Sequence, residues 1–190
     1  MRYRAALAAM AWMMIAPAAA GELADRALAA EGALEAGDAR AAITEFEKAQ
    51  EALWAAMPLT ILDVAQVANA AGVGIYSERA NSIYAPGEKL LLYVQPVGYS
   101  YGDDGLGNKV IALAVDLTLK SEAGEALGTI ENIGSIKLSS RTRNRELFFS
   151  LNLSLDAASI PAGKYTAEFL MRDLNSQKTA PFAIDFEIAG

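Results

Sequence analysis

Ile111-Ala112-Leu113-Ala114-Val115-Asp116-Leu117-Thr118-Leu119-Lys120 places a large apolar residue at every second position, with Ala, Asp, Thr and Lys between. Successive side chains of an extended chain point to opposite faces, so this stretch reads as a strand with one face in a core and the other toward water. The same period recurs downstream. Leu147, Phe149, Leu151, Leu153 and Leu155 alternate with Phe148, Ser150, Asn152, Ser154 and Asp156, and Phe182, Ile184, Phe186 and Ile188 alternate with Ala183, Asp185 and Glu187. Further strands are expected over residues 59–67, 74–78, 89–97, 125–133 and 164–172. Turn chemistry separates them at Pro86-Gly87, Asp103-Asp104-Gly105, Ala123-Gly124, Pro161-Ala162-Gly163 and Leu174-Asn175-Ser176. No helical crossover lies between these strands, as a parallel sheet would require.

Seven or eight short strands within about 120 residues predict a mainly β unit over residues 58–190, a two-sheet antiparallel sandwich of immunoglobulin-like architecture. Tyr165, just after Pro161-Ala162-Gly163, stands where a tyrosine corner would fall. The run Tyr84-Ala85-Pro86-Gly87-Glu88-Lys89-Leu90-Leu91-Leu92-Tyr93, with Ile160-Pro161-Ala162-Gly163-Lys164-Tyr165 and Arg172-Asp173, resembles the strand-edge phrases of bacterial exported Ig-like domains, the macroglobulin type included. The resemblance implies a fold rather than an activity. The thioester trapping of macroglobulins is not implied, because the chain has no Cys.

Upstream of Pro58 the composition changes to Ala, Leu and Glu. Residues 22–35 and 39–57 favour helix, and Gly37-Asp38 supplies a turn and an N-cap, so residues 21–57 are expected to form an α-helical hairpin. Ile43, Phe46, Leu53 and Met57 fall on one face of its second helix. Residues 36–49 resemble the second half of one tetratricopeptide repeat, without the further copies a solenoid needs. The sticky face implies either docking to a partner or packing of Phe46, Leu53 and Trp54 on the rest of the same chain.

Residues 1–20 carry Arg2 and Arg4, an uncharged apolar run from Ala5 to Ala16, and Ala18-Ala19-Ala20 before Gly21. These are the n-region, h-region and A-x-A site of a secretory signal peptide, so a soluble periplasmic or secreted protein is expected, with no membrane anchor. The full chain has 16 Lys+Arg against 23 Asp+Glu, a formal net charge of -7. Removing Arg2 and Arg4 leaves 14 basic residues against the same 23, or -9, a balance that disfavours nucleic acid.

With no His and no Cys, a Ser-His-Asp or Cys-His nucleophile, the usual zinc ligand sets and a disulfide are all excluded. Asp116, Asp173, Asp185 and Glu187 are not placed in pairs by the pattern, so glycosidase chemistry has no support. The chain is expected not to be an enzyme and to need no cofactor. Five of the seven Tyr fall between residues 76 and 101. On one side of a sandwich they would form a flat recognition surface for sugar rings or extended peptide. Otherwise Tyr76, Tyr84 and Tyr93 are half-buried strand residues, and Tyr99 and Tyr101 stand in a loop.

Residues 99–108 combine Tyr99, Tyr101, Asp103, Asp104 and Asn108 with three glycines. Such loops can hold calcium, but adjacent Asp103 and Asp104 break the usual ligand alternation, and no metal is assigned. Arg141, Arg143 and Arg145 would project to one side of an extended chain, either to dock an anionic partner or to protect a sheet edge. These eight residues are the candidate binding positions of a non-catalytic binding or scaffolding protein, with a protein or a cell-envelope polymer as partner. A proteinase inhibitor of macroglobulin-like fold and a carbohydrate-binding module are the alternatives.

Overall fold

The computed structural model describes residues 18–154 and 160–190. The predicted signal peptide lies outside the described residues, except for Ala18, Ala19 and Ala20, whose backbone begins the first helix. The chain divides into two compact units, residues 1–56 and 57–190.

The first unit is an αα-hairpin of α1 (Ala18–Glu35) and α2 (Ala39–Ala56). Gly37 ends α1 in the left-handed region (φ 76°), where glycine carries no steric penalty. Asp38 then caps α2, its Oδ1 accepting the Ala41 N–H at 2.9 Å. Ala30, Ala42 and Ala49 are the buried apolar residues of the hairpin. The Glu45 carboxylate ties it with Arg26 (3.1 Å) and Lys48 (2.7 Å).

The second unit contains ten strands among the described residues. They are β1 (Thr60–Gly72), β2 (Ile75–Glu78), β3 (Ile83–Tyr84), β4 (Lys89–Val97), β5 (Gly102–Asp103), β6 (Lys109–Ser121), β7 (Ala126–Ser140), β8 (Phe149–Ser154), β9 (Gly163–Asp173) and β10 (Thr179–Ile188). A smaller sheet runs β2-β1-β4-β8, and a larger one runs β3-β10-β9-β6, with β5 and β7 both pairing with β6. Many of the alternating apolar residues face the core, but the water face expected of β6 is not open at Ala112 and Ala114, which are 9% and 1% exposed. Leu113 and Val115 of β6, Leu151 of β8, and Phe169 and Met171 of β9 are each 2% exposed or less. Tyr165 donates its hydroxyl to the Pro161 carbonyl at 2.7 Å, the geometry expected of a tyrosine corner.

Several details depart from the pattern read in the sequence, and β1 runs on to Gly72, beyond the strand expected over residues 59–67. The short strands β3 and β5 have too few residues for a period to register. The β3–β10 pair is parallel, so the expectation of purely antiparallel sheets is corrected. The strand expected over residues 125–133 continues to Ser140 through a bulge, with residues 131–133 falling between the Gly134–Val115 and Ile130–Leu117 pairs. Leu155 and Asp156, assigned to a strand by alternation, lie outside the described residues.

Candidate functional site

The segment after β4 crosses one end of the β unit through Tyr99 and Tyr101 into β5, and the segment from residue 141 to 148 passes from β7 to β8. The two meet at one atom. The Tyr99 hydroxyl donates to the Asn144 carbonyl at 2.8 Å and the Tyr101 hydroxyl donates to the same oxygen at 2.7 Å. Their rings meet edge to face, 5.7 Å apart at 70°. Tyr99 has no exposed surface, and its burial raises the phenol pKa, which the nearby Arg145 partly opposes. The reading of Tyr99 as a loop residue offering its ring to a ligand is therefore corrected. Apolar flanks such as Val97 favour burial of an aromatic ring, a signal outweighed in the sequence by Gly98 and Ser100. Tyr101 is half-buried, Arg141 and Arg143 are exposed, and Arg145 is half-buried. The two candidate groups that the sequence placed about 40 residues apart thus share one surface through Asn144, a residue the sequence did not single out.

A buried polar network holds this end in place. Asp173, 2% exposed, accepts the Ser100 N–H at 2.7 Å, the Asn175 N–H at 2.9 Å and the Ser176 hydroxyl at 2.7 Å. Asn175 donates from its amide to the carbonyls of Ser100 and Val110. A Cβ on Gly102 would stand 2.6 Å from Asn175 Oδ1, so glycine is what lets the two segments approach. Lys178 donates to the Gly98 carbonyl at 2.8 Å, and burial lowers its pKa. These part-buried bonds tie the segments at Gly98, Ser100 and Asn175 to one another around Asp173.

The loop carrying Asp103, Asp104 and Asn108 closes on itself. Asp104 accepts the Asn108 side-chain amide (2.8 Å), the Ser139 hydroxyl (2.9 Å) and the N–H groups of Leu106 and Asn108 (2.9 and 3.2 Å). These bonds, the Asn108 amide first, lower its pKa to about 2. Asp103 accepts the Gly105 N–H at 2.7 Å and pairs with Lys109 at 3.3 Å. The oxygens that a cation would need are engaged within the loop, and no group of three or more acidic residues suited to a metal occurs among the described residues. Leu106 stands at the tip, 85% exposed, between Gly105 (φ 76°) and Gly107 (φ 85°).

The five clustered tyrosines do not form one face. Tyr93 is stacked between Tyr76 (4.3 Å) and Phe148 (5.6 Å) and is wholly buried. The Tyr76 hydroxyl donates to Asp63 at 2.7 Å, which pushes its pKa up to about 12. Tyr84 is also wholly buried and packs edge to face on Phe186. Of the acidic residues considered for catalysis, Asp185 and Glu187 line one pocket with Glu122, and Asp116 and Asp173 do not line it. Asp116 pairs with Arg172 at 2.7 and 3.0 Å, which lowers its carboxyl pKa, while Asp173 belongs to the buried network and Asp185 accepts the Thr166 hydroxyl.

No protein-family model and no curated protein matches the chain. Among solved structures it is similar to the Pseudomonas fluorescens alkylpurine DNA glycosylase AlkC bound to DNA containing an abasic-site analogue, at 10% identity and a TM-score of 0.39. That likeness covers 83% of this chain and 40% of the glycosylase. It is also similar to Spo0M, a sporulation control protein from Bacillus subtilis, at 12% identity and a TM-score of 0.35, over 70% of this chain and 50% of the other. At these values neither likeness carries an argument about activity.

Proposed function

We propose that the chain is an exported, non-catalytic binding or scaffolding protein whose β unit is an immunoglobulin-like sandwich. Its recognition surface is the end bearing Tyr101, Arg141, Arg143 and Arg145, and its partner is a protein or cell-envelope polymer that presents anionic groups. One observation carries this reading: two tyrosine hydroxyls hold the Asn144 carbonyl, so an Arg-bearing segment rests on a buried base. A preorganised basic segment on an acidic protein concentrates attraction for an anion at one place and loses little entropy on binding. The Ig-like assignment is supported by the two sheets and by the Tyr165 hydroxyl bond to Pro161. The carbohydrate reading loses its pair of stacking rings with the burial of Tyr99.

The test is retention of the protein on dextran sulfate resin under a salt gradient. Arg141→Ala with Arg143→Ala should elute at clearly lower salt, with an unchanged melting temperature. Equal elution of the two proteins would refute the assignment of this surface.

A second reading, proteinase inhibition, is favoured by the Asp103 to Asn108 loop, whose apolar tip residue is held up by the Asp104 bonds. Stoichiometric inhibition of chymotrypsin that Leu106→Asp abolishes would establish it, and simple cleavage after Leu106 would dismiss it.

A further inference from the structure

The two sheets meet unevenly along the side where β7 and β8 are edge strands. At Gly134 they are in contact: a Cβ there would stand 2.6 Å from Leu151 Cδ2 and 2.9 Å from Phe149 Cε1. On the other side of the bulge at residues 131–133, a cavity of about 550 Å³ lies between them. Leu117, Leu119, Ala167 and Phe186 of the larger sheet line it, together with Ile130 of β7 and Leu153 of β8. Small residues keep the space open. Ala167 contributes only a methyl group, and a Cβ on Gly128 would meet nothing within 4 Å. Leu127 and Ile130 on the β7 side are 54% and 59% exposed.

We propose that this cavity receives the aliphatic chain of an amphipathic small molecule, of the fatty-acyl or isoprenoid class, with its polar head outside. The charge of the lining selects this occupant. Among the described residues no Asp, Glu, Lys or Arg lines the cavity, so a charged group drawn inside would lose its hydration without gaining a counter-ion. Among the described residues, the polar side chains of the lining are Thr129, Asn152 and Ser154, which suit a neutral or hydrogen-bonding head at the sheet edge. The volume lies in the range of pockets that enclose small ligands, ~300–1,000 Å³.

An added peptide strand, whether from a partner or from a second copy, fits less well. It would need a continuous row of edge hydrogen bonds on β7, and the bulge at residues 131–133, with Asn132 at φ 55°, interrupts that row. The site is separate from the Tyr101 and Arg141 surface, and the two proposals stand or fall independently.

Delipidated full-length protein titrated with cis-parinaric acid should show one saturable site, with the probe displaced by palmitate. Gly128→Leu and Ala167→Leu fill the cavity from two sides. Each should weaken binding at least tenfold, and Gly128→Leu should do so with a melting temperature equal to or above that of the parent, because a Cβ there meets nothing within 4 Å. Phe46→Ala on the helical unit should bind as the parent does. A diazirine-bearing palmitate, used on the unmodified protein, should label peptides that contain Leu117, Leu119 or Leu153. Absence of saturable binding, binding undiminished in both filled variants, loss of binding in Phe46→Ala, or labelling confined to peptides outside the cavity would each overturn the proposal.

Discussion

The helical unit and the β unit bury different things. In the hairpin the buried apolar residues are the alanines Ala30, Ala42 and Ala49, while Leu28, Leu34, Ile43, Phe46 and Leu53 are 46–66% exposed. In the β unit Tyr84, Tyr93, Tyr99, Leu90, Leu92, Leu113 and Val94 have no exposed surface. Each fully buried large side chain contributes roughly 1.5–3 kcal/mol relative to exposure, whereas an alanine seam removes little area from water. The hairpin therefore has helix propensity and caps but little core of its own, whereas the β unit owes its form to a core. Local preference alone rarely stabilises so short an element in water.

The largest expected effect separates the two units altogether. A fragment of residues 21–56 should lose most of its helical ellipticity, while residues 57–190 should retain a cooperative thermal transition by circular dichroism. A helical fragment that melts cooperatively as a monomer would erase the contrast.

Within the β unit, the next effect distinguishes the two tyrosines that hold Asn144. Tyr99→Ala empties a buried site and should cost ~3–5 kcal/mol in denaturant unfolding. Tyr101→Ala removes one hydrogen bond from a half-buried ring and should cost ~0.5–1.5 kcal/mol. Equal costs would mean that both rings belong to the core, or neither does.

The smallest effect concerns the loop. The Asp104 pKa is depressed to about 2 in the folded protein, below the 3.8 ordinary for an aspartate. A depressed carboxyl stabilises the fold above its unfolded pKa, and that contribution is lost as pH falls from about 4 toward 2. The melting temperature should accordingly fall over this window, and less steeply in Asp104→Asn. Identical acid profiles would show that the loop bonds do not contribute to stability.

Much of the β unit was legible because its core strands obey a period of two on residues that are nearly all aliphatic or aromatic. Leu113, Val115, Leu151 and Phe186 could be assigned inward from sequence alone, and turn residues marked several of the strand ends. The hairpin was legible from Gly37 and Asp38, whose backbone and side-chain chemistry acts locally. The site was legible only as two lists. Tyr99, Tyr101 and the three arginines were candidates, but their meeting at Asn144 depends on a carbonyl oxygen, and every residue type has one.

What the sequence by itself determined is therefore what depends on neighbours in the chain: element type, the inward face of the strands whose alternation is clear, the N-cap, and the exclusion of chemistry that needs His or Cys. What only the tertiary structure decided depends on distance across the chain. The burial of Tyr99, the parallel pairing of β3 with β10, the engagement of Asp173 with Ser100 and Asn175, and the cavity where β7 and β8 stand apart all belong to this second group. Periodicity reports which way a side chain points, but a buried ring, a shared acceptor or an unfilled space is set by what the rest of the chain brings to face it.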